Sequence, residues 1–157
     1  MANLIIWRHA EAEAQSESGH DSDRALTKRG HKDAAKVAKW LHKHMPDQVD
    51  LLCSPAQRCL QTAQALHDLN HAEIKIADFL SVDSNVARII KDISNLSDTQ
   101  TILMVGHQPN LGWLISKFLG ANESACTVKK GAVWWLKQRK VGHSSHYYIH
   151  AVIQPHF

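Results

Sequence analysis

The sequence predicts an α/β fold, a three-layer α/β/α sandwich in which a mostly parallel central sheet carries helices on both faces. Three observations lead there. Residues 4–7 form a short continuous apolar run, 101–105 a second behind a single threonine, and 50–53 a third behind a single aspartate; such runs suit parallel strands buried on both faces. Amphipathic helical stretches separate these runs, the alternation that builds strand–helix–strand units. At 157 residues with 44% hydrophobic content, the chain is long enough to bury one core without staples and is expected to form a single domain over 1–157.

Taken in order, residues 4–7 form the first strand and end in Arg8-His9. Residues 10–24, rich in Glu, Ser and Asp, form a polar surface loop. Thr27 is an N-cap for a helix whose Ala34, Val37, Ala38, Leu41 and Met45 share a stripe, and Pro46 ends it. After the strand at 50–53, Ser54 and Pro55 read as N-cap and first helical residue, with Ser54 and Gln57 at capping-box spacing, and the helix runs to about Leu69. A weaker strand covers 74–76 and a helix 86–96. The strand at 101–105 ends at Gly106-His107, and Pro109 opens a helix that stops at Gly120. Residues 131–136 and 147–153 close the sheet as a pair of strands joined by a basic turn at 137–143. Trp134 and Trp135 alternate faces there, which puts one of them in the core.

Composition narrows the function classes. Charged residues make up 21% and the net charge is +3, a mild basic bias that suits an anionic ligand. Basic and acidic residues are interspersed and aromatics reach only 6%, so nucleic acid is not an expected partner. The three cysteines are too few and too irregular for a disulfide framework, and no apolar stretch approaches the roughly 20 residues of a bilayer span. A reduced, cytoplasmic protein without a membrane partner is expected. Nothing in the sequence sets its oligomeric state.

In open α/β sheets the ligand crevice lies beyond the carboxyl ends of the strands. The three strongest strands deliver Arg8 and His9, Arg58 and His107 at or just after those ends. Arg58 carries the most information, because it falls in the first turn of a helix, where the macrodipole favours anions. Either a bound anion reverses that penalty or a carboxylate from the 10–24 loop pairs with it. Arginines and a histidine can donate to the oxygens of a phosphoryl group, while a second histidine, with an ordinary pKa of about 6.5, can attack phosphorus. No cofactor is expected, since arginines can carry the charge stabilisation and no carboxylate cluster at the strand ends would hold magnesium.

Residues 4–9, then Ser54-Pro55-Ala56-Gln57-Arg58-Cys59-Leu60-Gln61-Thr62-Ala63, then Gly106-His107-Gln108-Pro109 resemble the histidine phosphatase (phosphoglycerate-mutase-like) superfamily, whose signatures are R-H-G, S-P-x-x-R-x-x-Q-T-A and G-H-x-P in that order. The short length and the segment Asp23-Arg24-Ala25-Leu26-Thr27-Lys28-Arg29-Gly30 look most like the small SixA-type phosphohistidine phosphatases. The resemblance implies that His9 is the residue phosphorylated and that Arg8, Arg58 and His107 form the phosphate pocket. Two positions depart from the pattern. Ala10 replaces the usual glycine, adding a methyl group near the phosphate and restricting φ. Val82 stands where larger members carry a proton-donating glutamate, which leaves Glu11 or Asp83 as substitute donors. Loss of that acid costs an alkoxide leaving group about 10²- to 10⁴-fold, whereas a departing imidazole can take its proton from solvent. The expected substrate is therefore phosphohistidine on a protein, with a small phosphorylated metabolite as the alternative.

Rival readings are weaker. Cys53 and Arg58 enclose four residues where a tyrosine-phosphatase loop needs five, and no strand leads into Asp21-Ser22-Asp23 as an aspartyl-phosphate site would require. His67 and His71 share a helix face without the companions of a zinc site. A non-catalytic phosphate- or phosphoprotein-binding module would have no need of His9. The basic residues at 137–140 could dock an acidic partner or simply form a solvated hairpin tip.

Overall fold

The computed structural model describes residues 2–96, 100–121 and 123–156. Strands β1 (Asn3–Arg8), β2 (Asp50–Cys53), β3 (Ile74–Ile76) and β4 (Thr101–Gly106) pair in parallel. Strand β5 (Val133–Val141) runs antiparallel to β1, and β6 (Ser144–Ile153) antiparallel to β5. Together they form a six-stranded sheet in the order β3-β2-β4-β1-β5-β6, the mostly parallel sheet that the apolar runs predict.

The strand order explains the layers. The chain steps outward from β1 through β2 to β3, then returns to insert β4 between β1 and β2. Right-handed crossovers place helices on one face for outward steps and on the opposite face for the return. Accordingly α1 (Lys28–His44) and α2 (Gln57–Asn70) cover one face, where Val37, Leu41, Ala63 and Leu66 pack against Ile5, Trp7, Leu51 and Leu103. Helices α3 (Val86–Ile93) and α4 (Asn110–Phe118) cover the other, where Ile89, Ile93, Leu114 and Ile115 meet Leu4, Ile6, Ile102 and Met104. Adjacent β1 residues thus feed opposite cores, which is why the strand is apolar at every position rather than alternating.

Helix α1 follows its sequence signals closely. Thr27 caps it by accepting from the Gly30 N–H at 2.9 Å, and it ends before Pro46. Gly30 has a steric reason, since a Cβ there would run into the carbonyl of Glu11. Three expectations need correction. Ala56, not Ser54, is the N-cap of α2, so the helix begins two residues beyond Pro55 and no capping box forms. Helix α3 ends at Ile93 rather than at residue 96. The basic stretch 137–141 belongs to β5, and the turn shrinks to Gly142-His143, with Gly142 at φ 62 as a tight hairpin requires. Lys137 to Lys140 point to no turn because each keeps a ladder partner on β6. Trp135 is buried, Trp134 is half-buried on the opposite face, and neither offers the exposed aromatic of a docking site. Among the described residues, no helix is long and apolar enough to cross a membrane.

Candidate active site

Because β4 lies between β1 and β2, their carboxyl ends finish level. Register sets Arg8 beside Gly106 and Cys53 beside Val105, so the residues that follow emerge side by side. The ladder continues one step further, with the His9 N–H donating to Gly106 O at 3.1 Å and the Ser54 N–H to Val105 O at 3.0 Å. The His9 carbonyl in turn accepts from the Gly131 N–H at 3.0 Å. The His9 and His107 rings come to 5.4 Å between centroids. His9, Arg58 and His107 are only 7%, 3% and 3% exposed, a concentration of polar groups that burial does not tolerate without partners or a ligand.

The nucleophile candidate is locked in one tautomer. His9 Nδ1 lies 2.8 Å from the Ala10 carbonyl, an acceptor only, so Nδ1 carries the proton and Nε2 keeps its lone pair. Thr62 secures the next residue by accepting from the Ala10 N–H at 3.0 Å and donating to Arg58 O at 2.8 Å. One side chain therefore ties the loop after His9 to the first turn of α2. Ala10 causes no strain: its φ is negative, and its methyl is fully buried against Leu26 and Ala34 instead of lining the pocket.

His107 is held from both sides. Its Nδ1 faces an Arg58 N–H at 3.4 Å, which assigns the ring proton to Nε2, donated to Ser54 Oγ at 2.8 Å. Ser54 thus serves the site, while its Oγ also accepts from the Ala56 N–H at 3.3 Å just ahead of the helix, and its capping signature concealed the first role. Arg8 donates from Nη1 to Val128 O at 2.9 Å, while the buried Nε groups of Arg8 and Arg58 have no hydrogen-bond partner. Arg58 resolves the alternative left open by the sequence. Its Nη2 meets an Asp21 carboxylate oxygen at 3.0 Å and its Nη1 donates to Asp21 O at 2.9 Å. Asp21 stands on a single 3₁₀ turn (Asp21–Asp23) in the polar loop and is also paired with Arg24 at 2.9 Å. Hydrogen bonds from Arg24 and Arg58 keep its carboxyl below the usual carboxylate range. A carboxylate therefore holds the arginine where an incoming oxyanion would bind.

Among the described residues, neither Glu11 nor Asp83 is hydrogen-bonded to His9, Arg58 or His107. Glu11 accepts from Thr27 Oγ1 at 2.9 Å and lines a cleft that also holds Arg8. Asp83 is exposed on a turn whose Ser84 carbonyl accepts from Asn110 Nδ2 at 3.1 Å, which ties the turn to the start of α4. Val82 beside it is 48% exposed. Cys53 and Cys59 are fully buried and burial pushes both thiols up, Cys59 to about 12, which removes the thiolate that a cysteine phosphatase needs. A larger cleft of about 850 Å³ lies elsewhere, between residues 45–51 and 69–75, and contains none of the site residues. Among the described residues, no group of three or more His, Cys, Asp or Glu side chains is arranged to hold a metal ion.

Comparison with known proteins bears on the family and the fold. The family model for the histidine phosphatase superfamily (branch 1) matches residues 4–81, and the chain belongs to that superfamily. No curated protein sequence matches it significantly. Among solved structures it is similar to the protein histidine phosphatase SixA complexed with tungstate (TM-score 0.83, 20% identity, covering 98% of this chain and 97% of that one). It is similar as well to a protein assigned as phosphohistidine phosphatase SixA from Nakamurella multipartitia (TM-score 0.80, 23% identity, 99% and 97% covered). A mycobacterial glucosyl-3-phosphoglycerate phosphatase in complex with VO3 shares the fold at TM-score 0.70 and 14% identity, with 95% and 97% covered.

Two outcomes follow from the electrostatics. Burial, reinforced by the neighbouring cations, lowers His9 to about 3 and His107 to about 4. An unfolded histidine titrates near 6.5, so below that pH the unfolded chain binds protons that the native state refuses. Stability present above pH 6.5 is therefore lost as pH falls toward 4 and 3. Urea unfolding at pH 7.5 and 5.0 should show this loss, with a smaller loss in His9→Gln and His107→Gln; an equal loss in all three proteins would contradict it. Second, Asp21→Asn removes the charge competing for Arg58 and should tighten tungstate or phosphate binding about two- to fivefold, the range of one exposed ion pair. Calorimetric titration of both proteins measures the difference, and unchanged affinity would mean that Asp21 does not compete.

Proposed function

We propose that the protein is a phosphatase that works through a phosphohistidine on His9 and acts on phosphohistidine carried by a protein. The observation that carries this reading is the bond from His9 Nδ1 to Ala10 O, which leaves Nε2 unprotonated beside Arg58, Arg8 and His107. A neutral imidazole with a fixed lone pair is the form a nucleophile needs.

In the first step Nε2 attacks phosphorus and a new N–P bond forms. The bond from phosphorus to the substrate imidazole breaks, and its electron pair leaves on that ring, which has been protonated from solvent and departs neutral. Arg8 and Arg58 donate to the equatorial oxygens, with Arg58 exchanging Asp21 for the phosphoryl group. His107 becomes a donor to the same group through Nδ1, either by protonation or by taking the other tautomer, because Ser54 Oγ can donate as well as accept. Water then attacks the phosphohistidine, inorganic phosphate leaves, and His9 is restored with its Nδ1 proton unmoved. The guanidinium groups supply the charge stabilisation that a metal ion gives in other phosphatases, so catalysis is metal-independent.

The leaving group decides the substrate class. Exposed Val82 supplies no proton, which handicaps alkoxide departure but not imidazole departure. The second reading, a small phosphorylated metabolite, is favoured by Glu11, whose side chain lines a cleft in common with Arg8. Glu11, or Asp83, would then protonate the ester oxygen. The fold likeness extends both to SixA and to a glucosyl-3-phosphoglycerate phosphatase, consistent with either leaving group on one scaffold.

kcat/KM on a phosphohistidine-bearing protein, compared with a panel of sugar and alkyl phosphates, tests the substrate class. The protein substrate should be preferred, His9→Ala should abolish both activities, and rapid acid-free quenching should trap phosphate on His9. A tenfold preference for an alkyl phosphate would overturn the protein-substrate reading, and activity in His9→Ala would overturn the mechanism. Exhaustive chelation should leave the rate unchanged while Arg58→Ala lowers kcat about 10²- to 10³-fold, as expected for one preorganised donor. Loss of activity on chelation with recovery on adding a divalent metal would contradict the arginine-based account.

A further inference from the structure

We infer that the cleft beside Arg8 is a second subsite of the active site, one that binds the carboxylates of acidic residues flanking the phosphohistidine on a protein substrate. This deepens the function proposed above and rests on it. The cleft has a volume of about 320 Å³, room for one or two acidic side chains, and is lined by Arg8, Glu11, Arg29, Asp33, Lys129 and Lys130 among others.

Its charge is unbalanced. Glu11 is bonded to Thr27, and Asp33 pairs with Arg29 at 3.8 Å. Arg29 is further engaged by His156, whose Nε2 accepts from it at 3.0 Å. Among the described residues, neither Lys129 nor Lys130 has a carboxylate within ion-pair distance, and both are exposed. Two ammonium groups without partners, on one rim of a concave surface, leave a positive potential that an anion would neutralise.

The cleft is also fixed relative to the nucleophile. Arg8 belongs to both sites, and its Nη1 bond to Val128 O clamps the segment carrying the lysines to the end of β1. Lys129 is two residues from Gly131, whose N–H holds the His9 carbonyl. A side chain bound at the lysines therefore keeps a constant offset from a phosphoryl group at His9. Carboxylates close in sequence to a phosphohistidine match that offset, whereas a phosphate monoester with no second anion would leave the cleft unused.

The test uses two phosphohistidine peptides that differ only in flanking residues, Asp and Glu in one, Ser and Gln in the other, with wild type and a Lys129→Gln/Lys130→Gln double variant. For wild type the acidic peptide should have the higher kcat/KM by about three- to tenfold, the range of two solvent-exposed ion pairs. The difference should reside in KM, shrink as salt is raised, and fall to near unity in the double variant, with turnover of the neutral peptide unchanged. Equal kcat/KM for both peptides with wild type, or a preference that survives in the double variant, overturns the subsite. A second arm separates this from failure of the functional proposal. Unphosphorylated acidic peptide is titrated as an inhibitor of p-nitrophenyl phosphate hydrolysis. If neither phosphohistidine peptide is turned over but the acidic peptide inhibits wild type more strongly than the double variant, the functional proposal fails and the subsite stands. Equal inhibition of the two proteins, or none, overturns the subsite whatever the phosphorylated substrate.

Discussion

The structure depends on the insertion of β4 between β1 and β2 in parallel register. Parallel hydrogen bonding makes the three strands end at one level, so that His9, Ser54 and His107 leave the sheet as neighbours although 53 positions separate Ser54 from His107. Any slip of one residue would turn Leu4, Ile6, Ile102 and Met104 toward the wrong helical layer, so burial on both faces enforces the alignment that builds the site. Core packing and the geometry of the candidate site are in this sense the same constraint.

Around that frame the electrostatics are arranged to keep histidines neutral and arginines occupied. Burial makes a charged imidazole costly at His9 and His107, and the nearby guanidinium groups add to the cost. An arginine in the first turn of α2 opposes the helix dipole unless an anion accompanies it, and Asp21 supplies that anion from the opposite loop. The loop is not free to drift. Thr27 N–H donates to Glu11 O at 3.0 Å, Ala12 and Leu26 form an antiparallel bridge, and Leu26 N–H donates to Gln61 Oε1 at 2.7 Å. The polar segment is thus anchored to the same helix that carries Arg58, so the exchange of Asp21 for a phosphoryl group, as proposed above, needs only a local change.

The segment before β5 completes the enclosure from the other side. Trp7 Nε1 donates to Gly131 O at 3.1 Å, Gly131 N–H holds His9 O, and Val128 O holds Arg8. Gly131, at φ 77, adopts a conformation that side chains rarely take, and a Cβ there would press on Pro155. The turn, the strand that leads to His9 and residues 154–156 consequently form one wall, and the basic cleft is its outer surface.

Much of this was legible in the sequence, for physical reasons. Doubly buried strands need unbroken apolar runs, so β1, β2 and β4 announced themselves, and Thr27 and Pro46 marked the limits of α1 because caps and ring closure act locally. Arg8, His9, Arg58 and His107 were visible as polar residues where apolar runs stop. Tertiary structure decided what local chemistry could not. Ser54 has the same hydroxyl as a helix cap or as a histidine partner, and only the level ends of β2 and β4 select the second. Thr62 is part of the family-like segment 54–63, but its task appears only when Ala10 is brought to it across the interface of α2 and the loop after His9. The basic residues of β5 look like a turn because the β5–β6 hairpin extends into solvent beyond Gln138, where exposed positions lose the apolar signature of a strand. Asp21 is one acid among several in a polar loop, and its pairing with Arg58 required the loop to fold back over the sheet. Local periodicity and capping are written in neighbouring residues; partners 37 or more positions apart, such as Asp21 and Arg58, are chosen by which surfaces must be buried together.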